Sequence, residues 1–177
     1  MPRDPARVEE GHTAAWGTHA PLSFDAFFAD EAEVLFRRMW LITRDRQEAE
    51  EVAQDAFVSL FERWDRVSVM EDPTGYLYRT AMNAWRKRSR RAARAIRTAL
   101  VADPGRDAFE AADARSVVGA ALDLLSPRQR AAVVLVELLG YPSEEAGELM
   151  GIRAVTVRVL ASQARAAIRA QIGGADG

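Results

Sequence analysis

Between Ala49 and Trp64 the apolar residues Ala49, Val52, Ala53, Ala56, Phe57, Leu60, Phe61 and Trp64 recur at helical spacing, with Glu48, Glu51, Gln54, Asp55 and Glu62 on the opposite side. Side chains return to one side of an α-helix every 3.6 residues, so this spacing makes one apolar stripe and one polar, mainly acidic stripe. No strand-like alternation competes with it. Asp45, with Glu48 three residues on, supplies a capping-box-like start. Such a helix must bury its stripe on a neighbour. The residues Phe24, Phe27, Phe28, Leu35, Met39 and Ile42 keep the same period, so Leu22 to Thr43 is predicted to be that neighbour. After a predicted loop, Asp65 to Glu71, the pair Asp72-Pro73 reads as the N-cap and first residue of a third helix reaching Arg97. The expected unit is a three-helix bundle spanning residues 22–97.

The third helix changes chemistry along its length. From Pro73 to Ala102 there is no Asp or Glu, while Arg79, Arg86, Lys87, Arg88, Arg90, Arg91, Arg94 and Arg97 supply eight positive charges. Leu22 to Asp72, by contrast, carries thirteen acids against six arginines. The formal net charge of −2 therefore conceals a chain polarised along its length, and the basic stretch suits a polyanion. Tyr76, Leu77, Tyr78, Met82 and Trp85 fall among the cations. Aromatics interleaved with cations suit single-stranded nucleic acid, where bases stack and phosphates are neutralised. The same spacing also suits a core-facing stripe under a solvated charged face.

Thr98 to Ser116 contains Asp103-Pro104-Gly105, several acids and little periodicity, the composition of a flexible linker. Its acids, among them Asp103, Asp107, Glu110 and Asp113, have the charge to mask the basic helix. A second unit, residues 117–171, opens with Val117 to Leu125. Ser126-Pro127-Arg128-Gln129 then joins a cap, an initiating Pro and a capping-box Gln, so a helix is predicted from Pro127 to Leu139. Gly140-Tyr141-Pro142 ends it, Ser143 to Met150 forms a short helix, and Gly151 turns the chain. A last helix from Ala154 to Gln171 follows, with Val157, Leu160, Ala164 and Ile168 inward. This is a helix-turn-helix layout, with Arg153, Arg158, Arg165 and Arg169 and no acid along the last helix. Residues 1–21 and 172–177 read as mobile ends.

The inventory for catalysis is empty. The chain has no cysteine, and its two histidines, His12 and His19, lie in the Pro- and Gly-containing N-terminal stretch. Neither a nucleophile with its base, nor a carboxylate pair, metal cluster or phosphate-cradling glycine loop is evident, so neither enzyme activity nor a cofactor is expected. There is no membrane-length apolar run and no apolar signal core at the N-terminus, so membrane insertion is not expected and a cytoplasmic protein is.

Three motifs carry a resemblance: Glu48-Ala49-Glu50-Glu51-Val52-Ala53-Gln54-Asp55-Ala56-Phe57, Asp72-Pro73-Thr74-Gly75-Tyr76-Leu77-Tyr78-Arg79-Thr80-Ala81-Met82-Asn83, and Leu125-Ser126-Pro127-Arg128-Gln129-Arg130. In this order and spacing they resemble the extracytoplasmic-function (ECF) group of bacterial RNA polymerase sigma factors, across nearly all of Phe24 to Arg169. The resemblance implies an all-α protein with two domains, region 2 and region 4, that directs core RNA polymerase to promoter DNA and helps to melt it. It implies a polymerase-binding face at Glu51, Gln54, Asp55 and Glu62. It also implies a minus-ten surface in which Asn83 meets a flipped base while Arg79, Arg86, Lys87, Arg88, Arg90 and Arg91 hold phosphates, and it favours the core for Tyr76. For the minus-thirty-five element it implies Arg153, Thr156, Arg158, Ser162, Gln163 and Arg165, with Arg158 suited to a bidentate contact with guanine. An anti-sigma factor is an implied partner. The chain departs from the family pattern at Pro142, Arg153 and Val155, where Ser, Ser and Gly are usual, and at Leu160 and Ala161. With 23 arginines and Lys87 as its one lysine, the composition suggests a GC-rich genome. The alternative is a stand-alone helix-turn-helix repressor or activator, which would dimerise on palindromic DNA.

Overall fold

The computed structural model describes residues 22–96 and 117–173; the expectations for the N-terminal stretch, for the acidic linker and for residues 174–177 lie outside them, while residues 172–173, expected to be mobile, continue the last helix. Eight α-helices and one π-helical turn follow in order, with no strand among the described residues: α1 (Phe24–Thr43), α2 (Arg46–Phe61), α3 (Trp64–Val67), α4 (Pro73–Ile96), α5 (Val117–Asp123), α6 (Pro127–Val133) running into the π turn Val134–Leu138, α7 (Ser143–Met150) and α8 (Ala154–Gly173).

The boundaries follow local chemistry. Arg44, at φ 57°, closes α1 with its N–H on the Trp40 carbonyl. One residue later Asp45 caps α2, accepting the Glu48 N–H at 2.8 Å. Asp72 accepts the Gly75 N–H at 2.7 Å at the start of α4. Ser126 and Gln129 form a reciprocal capping box on α6. Each cap satisfies N–H groups that a helix start leaves without an internal partner.

Three local expectations are corrected. The predicted loop Asp65 to Glu71 begins inside a short helix, α3, because α2 ends at Phe61 and the chain turns before Trp64. The predicted helix Pro127 to Leu139 becomes π-helical from Val134: the Leu139 N–H reaches the Val134 carbonyl, and Gly140, at φ 71°, turns the chain away. Finally, the apolar stripe of α2 does not continue inward to its end. Phe61 is 63% exposed and Phe28 is exposed too; with Phe24, Phe57 and Trp64 they form an edge-on aromatic group, the Phe24 and Phe61 rings 4.9 Å apart.

Leu35, Met39 and Ile42 of α1, Val52, Ala56 and Leu60 of α2, and Leu77, Ala81 and Met82 of α4 fill the first bundle. Leu135, Ala146, Leu149, Val157, Ala161 and Ala164 fill the second. The two cores join: the C-terminal end of α1 packs on α6 and the π turn, and α4 packs on α7. In the helix-turn-helix, Gly151 adopts φ 64°, and a Cβ on Gly147 would lie 2.8 Å from the Ile152 carbonyl oxygen. Both positions require glycine for α7 and α8 to approach this closely.

Candidate nucleic-acid interface

Along α4, Leu77, Tyr78, Ala81, Met82 and Trp85 turn into the bundle, and Arg79, Asn83, Lys87, Arg90 and Arg91 face out, with Arg86 and Arg88 half-buried at the flanks. The choice left open by the sequence is thereby made. Trp85 is 5% exposed and Tyr78 2%, so neither is a stacking platform, and Tyr76 packs against the same core. Burial pushes the Tyr78 phenol up to about 12, and Arg38, which donates to its hydroxyl and lies over its ring, works against that rise. The aromatics support the helix from beneath, and the cations crown it.

Among the described residues, no carboxylate is in ion-pair contact with Arg79, Arg86, Lys87, Arg90 or Arg91. Burial, and then the charge of Arg90, hold the Arg86 guanidinium below its ordinary value. Like charges lie close together here without neutralisation, an arrangement that a phosphate backbone relieves. Arg86 Nη1 donates to Asn83 Oδ1 at 3.3 Å, which orients the exposed amide.

Arg88 differs. It pairs with Glu51 and, at 3.2 Å, with Asp55 Oδ2, both on α2. Gln54, Asp55 and Glu62 are exposed and Glu51 half-buried, so the acidic face of α2 abuts the basic face of α4 and shares Arg88 with it. Beside the acidic face an apolar groove of about 700 Å³ opens, lined by Phe24, Phe28, Phe57, Val58 and Phe61 together with Gln54. Sequence reasoning missed this groove because it assigned both Phe28 and Phe61 to buried stripes. Glu48, at the N-terminal end of α2, is pushed up first by burial and then by Asp45, with Arg88 and Arg130 opposing.

The candidate residues on α8 do not share one face. At 3.6 residues per turn, Arg158, Ser162 and Arg165 lie along one flank of the helix, Thr156 and Gln163 along the other, and Arg153 precedes its first turn. Arg158 donates to Glu144 Oε1 at 3.0 Å, and Arg165 pairs with Glu137. Glu144 is held below the usual carboxylate range by its own backbone N–H and then by Arg158. Gln163 accepts from Gln129 Nε2 at 3.3 Å. Between the flanks the outermost ridge carries Val155 and Val159, each about half exposed. The sequence held a sign of them, since both fall opposite the inward residues Val157 and Ala164.

Comparison with known proteins accounts for this pairing of an acidic helix, a basic helix and a helix-turn-helix. The Sigma-70 region 2 family matches residues 28–95, and the Sigma-70 region 4 family matches residues 115–168. The ECF RNA polymerase sigma factor SigM of Mycobacterium tuberculosis is 30% identical over 153 residues, which span 85% of this chain and 78% of SigM. The chain belongs to the ECF sigma factors of RNA polymerase. The RNA polymerase sigma-E factor of Streptomyces coelicolor is 26% identical over 155 residues, 85% of this sigma factor and 86% of that one. The fold recurs in the sigma factor RpoE of Bartonella quintana, solved with the anti-sigma factor NepR (TM-score 0.63, 19% identity, 85% of this chain and 96% of RpoE). It recurs also in CnrH, solved with the cytosolic domain of CnrY (TM-score 0.54, 24% identity, 85% and 88%). A stand-alone helix-turn-helix regulator is not favoured, because region 2 accompanies region 4 in this sigma factor. No helix of the described residues is long and apolar enough to cross a membrane.

Proposed function

We propose that residues 22–97 form the polymerase- and minus-ten-binding domain, that 98–116 tether it, and that 117–171 form the minus-thirty-five-binding domain. In this reading Glu51, Gln54, Asp55 and Glu62 meet a basic surface of core polymerase. Asn83 hydrogen-bonds a base extruded during melting, a step whose cost of a few kcal/mol must be offset by such contacts. Arg79, Arg86, Lys87, Arg90 and Arg91 hold phosphates, and Arg88 divides its charge between phosphate and the α2 acids. Arg153, Thr156, Arg158, Ser162, Gln163 and Arg165 meet the minus-thirty-five duplex from the two flanks of α8. The observation that carries the reading is the uncompensated positive face of α4 lying directly beside the acidic face of α2.

The protein acts in the cytoplasm and catalyses nothing itself. An anti-sigma factor is a partner of the same surfaces, supported by the two solved relatives, one bound to the anti-sigma factor NepR and the other to a cytosolic domain. Run-off transcription with purified core polymerase tests the reading. RNA from defined start sites appears only when this subunit is added; equal initiation in its absence, or tight binding of the free chain as a dimer to palindromic DNA, would sink it.

A further inference from the structure

Val155 and Val159 stand one turn apart on the outward ridge of α8, 49% and 50% exposed, opposite the buried Val157, Ala161 and Ala164. Two β-branched apolar side chains facing water gain nothing from burial and are poor helix formers. On both sides of the ridge lie hydrogen-bonding or cationic groups, Thr156 and Gln163 on one, Arg158 and Ser162 on the other, with Arg153 at the helix mouth and no acid on the helix. Such a ridge, apolar along its crest and basic at its edge, fits the floor of a DNA major groove. There the one apolar feature of a base pair is the C5-methyl group of thymine. We propose that Val155 and Val159 are specificity residues that read thymine methyl groups in the minus-thirty-five element.

This rests on α8 being the minus-thirty-five reader, and the test separates the two. Transcripts made by the reconstituted holoenzyme first define the promoter; no subunit-dependent transcript would refute the promoter-reading function itself. Each thymine of the upstream element is then replaced by uracil, which removes only the methyl group. Burying one such group is worth about 0.8 kcal/mol, so one or two positions should each weaken holoenzyme binding by roughly threefold to fivefold. Val155→Ala and Val159→Ala should bind the thymine promoter more weakly and lose that sensitivity to uracil, one position each. Wild-type indifference to uracil at every position, or undiminished sensitivity in both variants, would overturn the proposal and leave the ridge to a protein partner.

Discussion

The two arginine-bearing helices solve different problems with the same side chain. On α4 five cations have no acid in contact among the described residues, and Arg86 and Arg90 repel each other; on α8 Arg158 and Arg165 are each held by a carboxylate from another element, Glu144 and Glu137. An unpaired cation gains from any phosphate within reach, whatever the base sequence, whereas a cation braced by an acid gives up charge for a fixed direction. Under the function proposed above, the difference makes α4 the helix for affinity and α8 the helix for discrimination.

The largest effect should come from stripping α4. Arg86→Ala, Arg90→Ala and Arg91→Ala together should lower promoter affinity of the holoenzyme by about two orders of magnitude at low salt. They should also flatten log K against log salt by roughly 2 to 3, each lost phosphate contact removing about 0.7 to 0.9. If Arg158→Ala with Arg165→Ala flattened the plot as much, the contrast between the helices would be broken.

Next in size is Arg158→Ala alone. It should cost about 1–3 kcal/mol at one base pair of the upstream element, relaxing preference there while leaving the salt slope nearly unchanged; binding to a panel of single-pair promoter variants reads this directly. Asn83→Ala should likewise alter which bases are accepted near the melting point rather than weaken all promoters equally.

Arg88 sharpens the comparison from within α4. Because Glu51 and Asp55 already neutralise it, Arg88→Ala should flatten the salt plot less than Arg86→Ala does. The broken, partly exposed pairs should lower stability by no more than about 1 kcal/mol in urea unfolding.

The smallest effect belongs to Glu48, between the acidic and basic faces. Its folded pKa lies above its ordinary value of 4.5 through burial and Asp45, so its stabilising contribution is complete below that value and lost as the pH rises through the folded one. Glu48→Gln should therefore raise the neutral-pH melting temperature by about a degree or two. Below pH 4.5 the advantage should disappear. A variant less stable than wild type at neutral pH would show that the charged form is wanted there.

Much of this was legible in the residues because its causes are local. Asp72-Pro73 and Ser126-Pro127-Arg128-Gln129 fix helix starts through bonds to N–H groups within a few residues, and Gly151 marks a turn that only a left-handed backbone makes. The residues of the candidate site were legible as chemistry too, since a run of cations without acids needs no partner to be seen. Their grouping was not. Whether Tyr78 and Trp85 stack on bases or support the core depends on which side of α4 meets α1 and α2. Phe61 has the spacing of a buried residue and is exposed because the chain turns one residue later.

Left to itself the sequence determined seven helices, most of their caps, the acidic and basic faces and the turn of the helix-turn-helix, since each follows from periodicity or from contacts a few residues apart. Only the tertiary structure decided that Arg88 is shared with Glu51 and Asp55, that Arg165 is held by Glu137, and that Arg130 reaches the carbonyls of Ile42 and Thr43. These pairings join residues far apart in the chain, and a pattern of local preferences contains no term for what two distant surfaces exclude from water when they meet.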